Sequence, residues 1–541
     1  MRAIRKTALW APLWAAFLLV PLVEVTAKDT YDLGKVQVVG QDAQSTSMTP
    51  DSDTISQEMG ERSELTPEIP LTEEKEVEKP VQKPTAPETV KTRTGGFTMG
   101  MAKGTRNSFE VYGKGHGYQN GYIGSLSVGR SSRDGFRSTR SEDRTWADLS
   151  LHGNEGSYDL DVAGTLATDK FAQRGWRTNP SPDAAIEDAP RRLIVKGSST
   201  LPDGAYFQAE AAVDSITRTT SNRPFGVNEE ATLSSGRVGA EYASKLSEAV
   251  LGKVGFDIRR DSFGLQNGPE QDLTKRNLRL SAQHRFERGS SIELGLKSLG
   301  LMNRERTAPM FRLDYRMKEP WQLILSYDED LGNDSLEKVF LPRQYVGFAT
   351  LRASHQKRTS AKVNYRSPEQ FHLGLELFQE SEDQGVEYVD AHDVARNLLT
   401  SQIRFADDAK RRGMKVSGSV KLDEHFVLKA GATFQNPEDT ATGRQLSYEA
   451  KRLFDVELAY EHRSLKFNIN RKSESDRVAY TPVTKVGLED YSRTDLECKY
   501  QFDKHFSAFV RVNDLYDEAQ EKRYNVPEEG RVSLLGVEAQ F

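Results

Sequence analysis

The chain has 541 residues, of which 36% are hydrophobic and 28% are charged, and its formal net charge is -6. This polar balance excludes a bundle of transmembrane helices, but it is compatible with a β-barrel, in which only alternate residues face lipid. The mild negative charge, without a basic stripe, argues against a nucleic-acid partner. The single cysteine, Cys498, excludes an intramolecular disulfide and a cysteine-based zinc site.

The N-terminus has the three parts of a secretory signal. Arg2, Arg5 and Lys6 precede an apolar run from Ala8 to Val23, and Val25–Ala27 offers a small-residue cleavage site. A membrane anchor is the alternative, but the run is short for a spanning helix and contains two prolines. We therefore predict a secretory signal peptide over 1–27. A secreted chain with strand patterns and no helical anchor points to the outer membrane of a Gram-negative cell.

A short β-prone island follows over 28–40. Its centre consists of Leu33, Gly34, Lys35, Val36, Gln37, Val38 and Val39. Such a strand cannot bury its own face, but it can add to the open edge of a partner's sheet. The alternatives are a small local hairpin and an unstructured tail. In its position and its amino-acid sequence the island resembles the energy-coupling box of TonB-dependent receptors. That resemblance implies TonB as a periplasmic partner.

The next stretch, 41–94, is rich in Glu, Pro, Thr and Lys, and its apolar content is too low to offset the entropy of ordering. We predict a disordered linker on the periplasmic side. TonB-dependent receptors carry a globular plug of well over a hundred residues at this place, for which this chain has no room. The sequence therefore predicts a barrel that lacks the plug.

From 95 to 541 the pattern is strand after strand. Leu278, Leu280 and Ala282, for example, alternate with Arg279 and Ser281. A soluble sandwich also alternates, but about 20 to 23 such segments of about 10 residues are typical of an outer-membrane barrel. We predict an all-β fold, a large antiparallel transmembrane β-barrel of about 22 strands.

The connections between these strands fall into two kinds. Short turns place charged residues between aromatic or apolar ends, as in Leu422–Phe426, Phe502–Phe506 and Met317–Trp321. Polar turns flanked by aromatics are expected at one membrane interface. Longer polar connections are predicted near 131–143, 168–190, 219–235, 261–274, 328–343, 381–396, 473–490 and 514–530.

The last strand is predicted to close the barrel. Leu535, Val537, Ala539 and Phe541 share one face, and Glu538 and Gln540 share the other. The segment from Val512 to Glu518, with Tyr524, Pro527 and Gly530 after it, is similar to the segment before the final strand of TonB-dependent receptors. The resemblance implies insertion by the barrel assembly machinery through the Phe541 end.

The residues give no sign of catalysis. Nine histidines are scattered with no pair at metal-ligand spacing, and no glycine-x-serine-x-glycine motif is present. We expect no catalytic residue, no cofactor and no metal site. Inward charges, Asp159, Asp161, Arg312, Asp314, Arg316, Glu457 and Glu461, are expected to line a wet lumen.

The sequence therefore predicts an outer-membrane protein that moves or binds an unknown solute and resembles TonB-dependent receptors. The expected partners are the lipid bilayer, the barrel assembly machinery, and TonB or another periplasmic protein. A plugless porin or an export channel for polysaccharide or protein, whose tail recruits a periplasmic partner, is the alternative. A surface enzyme and a structural adhesin are further hypotheses.

Overall fold

The structure is a computed structural model that describes 95–541 except for short gaps. These gaps are 120–121, 135–140, 156, 173–183, 202–203, 223–225, 266–269, 287–288, 302–303, 318–319, 333–344, 348–353, 368–370, 394–397, 518–519, 525 and 528–529. The predicted signal peptide (1–27), box-like segment (28–40) and linker (41–94) lie outside the described residues.

Twenty-two long strands form the wall of the structure. The first eleven are β1 (Gly96–Gly104), β2 (Phe109–Gln119), β3 (Tyr122–Asp134), β4 (Ser141–Glu155), β5 (Tyr158–Ala172), β6 (Ala184–Thr200), β7 (Tyr206–Asn222), β8 (Val227–Lys245), β9 (Val250–Leu265), β10 (Gln271–Arg285) and β11 (Ser291–Leu301). The other eleven are β12 (Arg304–Arg316), β13 (Trp321–Gly332), β14 (Ser354–Arg366), β15 (Phe371–Asp383), β16 (Ala409–Lys421), β17 (Phe426–Asp439), β18 (Arg452–His462), β19 (Leu465–Ser475), β20 (Tyr491–Gln501), β21 (Phe506–Asn513) and β22 (Val532–Gln540).

Eight short strands lie in the connections between the long ones. They are Tyr345–Gly347, Gly385–Asp393, Leu398–Ala406, Arg444–Gln445, Arg477–Tyr480, Lys485–Leu488, Glu521–Arg523 and Val526–Pro527. The described residues form no helix long and apolar enough to cross a membrane.

The wall is a closed antiparallel barrel. Each long strand pairs with the next one along the chain, and β22 pairs with β1 from Thr98↔Gln540 to Gly104↔Leu534. The backbone N–H groups of Phe97 and Phe541 each donate to the carbonyl of the other, at 3.0 and 2.8 Å. The barrel therefore has no free edge, and the predicted count of about 22 strands is confirmed.

The two ends of the barrel differ. At the end where β22 finishes, which we name the short-turn end, consecutive strands are joined by two to five residues. At the other end, the long-loop end, the five longest connections run from 12 residues (440–451) to 25 residues (384–408). This segregation of connections by length is the arrangement that outer-membrane barrels use.

The two faces of the wall differ as well. On β10, Leu278 and Leu280 are 54% and 61% exposed on the outer face, whereas Lys275 and Ser281 on the lumen face are 6% and 4% exposed. Exposed apolar side chains recur at alternate positions of most of the long strands. A band of this kind is costly in water and stable against hydrocarbon.

Several strands are longer than the predicted 10 residues, and the longest is β8 with 19. About 9 to 11 tilted residues span a bilayer, so the remainder projects beyond it. On β8 the outward positions change from Val238 and Tyr242 near the short-turn end to Asn228 and Glu230 near the long-loop end. Both faces of a projecting strand meet water, so the apolar alternation stops there. For that reason the prediction of a polar connection over 219–235 was wrong for most of its length.

Candidate functional site

The lumen face of β6 to β11 carries charges of both signs that pair between strands. The ion pairs are Arg192 with Asp214 (3.0 Å), Lys196 with Glu210 (3.3 Å), Arg237 with Asp257 (2.5 Å), Arg279 with Glu241, and Lys253 with Glu293 (3.0 Å). Because each charge has an opposite neighbour, this wall is hydrophilic without a dominant sign. A wall of this kind suits passage of polar solutes and does not by itself select one.

One of these pairs is buried in the wall. The side chains of Lys253 and Glu293 are 3% and 9% exposed, and Ser281 donates to the second carboxylate oxygen of Glu293 at 2.7 Å. The three residues stand on β9, β10 and β11. A buried pair is stable only when its remaining hydrogen-bonding capacity is met, which Ser281 does here.

The long-loop end of β13 lies against the lumen face of its neighbours. Leu331 packs on Leu299 and Ala308, which share the lumen face with Lys297. The Lys297 ammonium lies 2.7 Å from Asp328, and that of Lys275 donates to the carbonyl of Leu331. Two buried lysines therefore hold this strand end against the wall.

A hairpin reaches into the mouth from a different sector of the barrel. Its strands, Gly385–Asp393 and Leu398–Ala406, lie between β15 and β16 and pair along their whole length. Ile403 packs against a cluster made of Leu233, Phe263 and Leu273, which belong to the lumen face of β8, β9 and β10. We name this element the mouth hairpin, where the mouth is the opening of the barrel at the long-loop end. The hairpin connects the sector of β15 and β16 with the sector of β8 to β10.

The mouth hairpin is the centre of a five-stranded sheet. Tyr345–Gly347 pairs in parallel with Leu398–Ala406, and Arg477–Tyr480 pairs with Gly385–Asp393 through Val389↔Tyr480. Lys485–Leu488 completes the sheet as its edge. Three of the five longest connections are therefore joined by backbone hydrogen bonds into one cap.

A buried polar cluster ties two more connections to the cap. Asp390 accepts hydrogen bonds from the Ser401 hydroxyl (2.6 Å) and from the Tyr448 hydroxyl. The Arg523 guanidinium lies over the rings of Tyr388 and Tyr448, at 5.0 and 4.6 Å from their centroids. Burial raises the pKa of Asp390, and the positive charge of Arg523 opposes that shift. The cluster therefore holds the cap together as one folded unit, through a carboxylate, hydroxyl groups, aromatic rings and a guanidinium.

The predicted closing residues lie at the barrel seam. Leu535, Val537 and Ala539 stand opposite Lys103, Met101 and Met99 of β1. Leu535 and Val537 are exposed on the outer face, and Phe541 follows them at the short-turn end.

The box-like residues Leu33, Gly34, Lys35, Val36, Gln37, Val38 and Val39 lie outside the described residues, so their role stays a prediction. The mouth hairpin was missed, because a polar connection was predicted near 381–396. A signal that could have indicated the hairpin is present in the sequence. Two β-prone segments, Val386–Val389 and Leu398–Phe405, are separated by a mostly polar stretch.

The structure brings two of the scattered histidines together. Nδ1 of His462 lies 2.9 Å from Nε2 of His425, although the residues are 37 positions apart. Within the described part of the chain, no group of three or more His, Cys, Asp or Glu side chains is arranged to hold a metal ion. Cys498 is a free, partly buried thiol on β20.

Comparison with known proteins gives a likeness in fold. No protein-family model matches the chain, and no curated protein matches it in sequence. Among solved structures, the FrpB iron transporter from Neisseria meningitidis (F3-3 variant) superposes with a TM-score of 0.64 at 14% identity, over 83% of this chain and 82% of that one.

Two further structures agree with this. The ferripyoverdine receptor of the outer membrane of Pseudomonas aeruginosa gives a TM-score of 0.62 at 12% identity, over 85% of this chain and 72% of that one. The copper transporter OprC gives 0.62 at 10% identity, over 84% of this chain and 81% of that one. The described part of the chain is thus a large outer-membrane-type β-barrel. More narrowly, it has the fold of the TonB-dependent receptors.

Proposed function

We propose that this protein resides in a Gram-negative outer membrane and moves a solute through its barrel, as a transporter of the TonB-dependent type. The observation that carries the proposal is the closed barrel with an apolar outer band and a paired-charge lumen face. The long-loop end faces outward and the short-turn end faces the periplasm, because barrels of this class are inserted in that orientation. The N-terminal tail then starts on the periplasmic side.

The mouth hairpin and its cap define the first contact for a solute arriving from outside. Tyrosines, an arginine and a buried carboxylate hold the cap together as one folded unit. The structurally similar proteins are described as an iron transporter, a ferripyoverdine receptor and a copper transporter. Iron, iron chelates and copper are therefore the first solutes to test for uptake.

We further propose that Leu33–Val39 add as a strand to a TonB C-terminal domain, since an isolated β-prone island binds best along an open sheet edge. A pull-down of the TonB domain by the full mature protein in detergent tests this. Wild type is expected to retain the domain and a Val36→Pro variant to lose it, because proline removes a backbone donor. Equal retention by both variants, or none by wild type, contradicts the coupling.

The alternative is a plugless porin or export channel. Planar-bilayer conductance of the purified mature protein distinguishes the two functions. Coupled transport predicts that wild type stays closed at rest. A large, steady open current from wild type instead supports the porin.

A further inference from the structure

The lumen face of β12 to β16 differs in charge from that of β6 to β11. On β15, Leu373, Leu375 and Leu377 face outward, so Gly374 and Glu376 face the lumen. The cross-strand register places the other charged lumen positions near the short-turn end of these strands. They are the cations Arg312, Arg316, Lys362, Arg366, Lys415 and Lys421 and the anion Asp314. Among the described residues, this part of the wall is therefore positive.

The two anions of this region already have partners. Asp314 accepts hydrogen bonds from the Gln322 amide at 2.8 and 3.0 Å. Glu376 accepts one at 3.0 Å from Arg358, which lies on β14 further towards the long-loop end. The two carboxylates therefore do not cancel the charge of the surrounding cations.

Four of the cations have no carboxylate at ion-pairing distance among the described side chains. They are Arg316, Lys362, Arg366 and Lys421. Arg316, Arg366 and Lys421 are exposed, and each is the last residue of its strand at the short-turn end. We name these four residues together with Lys415 the basic patch. Like charges lining a cleft with low-dielectric walls attract an anionic partner.

The chain itself carries an acidic stretch that is tethered at the same end of the barrel. Residues 58–78 contain eight glutamates, one arginine and one lysine, which give a formal net charge of -6. The chain then enters the wall at Gly96, the first residue of β1. This start of β1 lies at the short-turn end, where β1 pairs with the last residues of β22.

The tether is long enough to reach the basic patch. A closed barrel of 22 strands, spaced about 4.8 Å apart and tilted by about 40°, is about 44 Å across. Glu78 lies 18 positions before Gly96, and such a tether spans about 55 Å at roughly 3.1 Å per residue. The acidic stretch can therefore cross the lumen from β1 to the far side of the ring. The tether also keeps its local concentration on the order of millimolar.

The charge of the tether fits the same route. Residues 79–93 contain three lysines and one arginine against one glutamate. On the side of the ring near β1, the lumen face of β4 and β5 carries Asp148, Asp159 and Asp161. The order of charge along the tail, acidic and then basic before β1, thus mirrors the order across the lumen from the basic patch to β5.

We propose that the acidic stretch 58–78 docks on the basic patch, inside the lumen and near the short-turn end. Its glutamates pair with the charges of Arg316, Arg366 and Lys421. One exposed ion pair contributes little, but several pairs on one tethered chain act together. The docking goes beyond the proposed transport function, because it does not depend on which solute crosses the barrel.

The test uses a carbodiimide, which joins a carboxylate to an amine where the two are in contact. It is applied to the full mature protein in detergent, at a dilution where separate chains do not meet. Mass spectrometry then measures the links from 58–78 to each lysine. The test variant combines Arg316→Glu with Arg366→Glu, so that the acceptors Lys362, Lys415 and Lys421 stay in place.

The matched control combines Lys114→Glu with Lys472→Glu. Both lysines are exposed on the lumen face, on β2 and β19, outside the basic patch. The control therefore changes the net charge of the lumen as much as the test variant does. Heat-modified migration on gels checks that each variant is folded.

In wild type and the control we expect links from the acidic stretch to the lysines of the basic patch. The test variant should give about tenfold fewer, because two of the five patch charges then repel the stretch. A similar fall is expected at about 1 M salt, where the screening length is about 3 Å. Equal yields in the two double variants would overturn the proposal, and so would links of wild type confined to lysines of the tail itself. None of these outcomes bears on solute uptake, which tests the transport function separately.

Discussion

The Tyr112 hydroxyl donates a hydrogen bond to Glu538, although the two residues stand on β2 and β22 with β1 between them. The tyrosine ring crosses the lumen face of β1 at Gly100, where an added Cβ would lie 2.2 Å from the ring. Glu538 also accepts a hydrogen bond from Lys499 of β20. The seam is thus held by side chains as well as by backbone pairing.

The Gly100→Ala substitution tests this seam. The new methyl group displaces a ring that is pinned by Glu538, so we expect a loss of about 1–3 kcal/mol in the free energy of unfolding. Urea unfolding of the protein in lipid or detergent measures it. Gly117→Ala is the matched control, because no atom lies within 4 Å of its added Cβ. If both variants lose the same free energy of unfolding, the Tyr112 ring does not stabilise the seam.

The buried pair of Lys253 and Glu293 gives a second prediction. Lys253→Met leaves the Glu293 charge buried and unpaired, and we expect a loss of about 3–5 kcal/mol in the free energy of unfolding. The double variant Lys253→Met, Glu293→Leu is expected to lose much less. Arg260→Met, at an exposed pair with Asp272, should have little effect. A double variant less stable than Lys253→Met would contradict this account of the wall.

The contact of Ile403 with Leu233, Phe263 and Leu273 gives a third prediction. Ile403→Asp places a charge against an apolar cluster, so the mouth hairpin should leave the wall. We expect single-channel conductance in planar bilayers to rise above that of wild type. Val483→Asp is the control, since Val483 is 92% exposed at the tip of another loop. Equal conductance in the two variants would show that the hairpin does not close the mouth.

The acidic turns give a pH prediction. The backbone N–H groups of His505 and Phe506 lower the pKa of Asp503, and those of His425 and Phe426 lower the pKa of Asp423. Each ionised carboxylate therefore stabilises the fold above its unfolded-state pKa of about 3.9. That stabilisation is lost as the pH falls through the lower folded-state pKa.

Asp423→Asn combined with Asp503→Asn removes these two titrations. Between about pH 5 and pH 2 we expect the unfolding temperature of wild type to fall more steeply than that of the double variant. Circular dichroism at a series of pH values measures both slopes. Parallel slopes would mean that the two turn carboxylates do not contribute to acid sensitivity.

Local patterns predicted the wall well and the mouth poorly. The alternation from Leu535 to Phe541 reports which face of a strand meets lipid, and it needs no knowledge of distant residues. The partners of Ile403 and of Lys253 depend on how strands far apart in sequence are placed around the ring. His425 and His462 likewise come into contact only through the register of β17 and β18. Their separation of 37 positions in the sequence does not predict this contact. The projecting part of β8 was missed because water on both faces removes the pattern.

The sidedness of the wall is tested most directly by cysteine labelling at neighbouring positions of β10, in a Cys498→Ser background and in intact lipid vesicles. Arg279→Cys faces the lumen and Leu280→Cys faces outward, at a position where the leucine is 61% exposed. With a small, charged thiol reagent present on both sides of the vesicle membrane, we expect Arg279→Cys to react and Leu280→Cys to be protected by hydrocarbon. Equal labelling of both positions would contradict a barrel that keeps lipid on its outer face and water within.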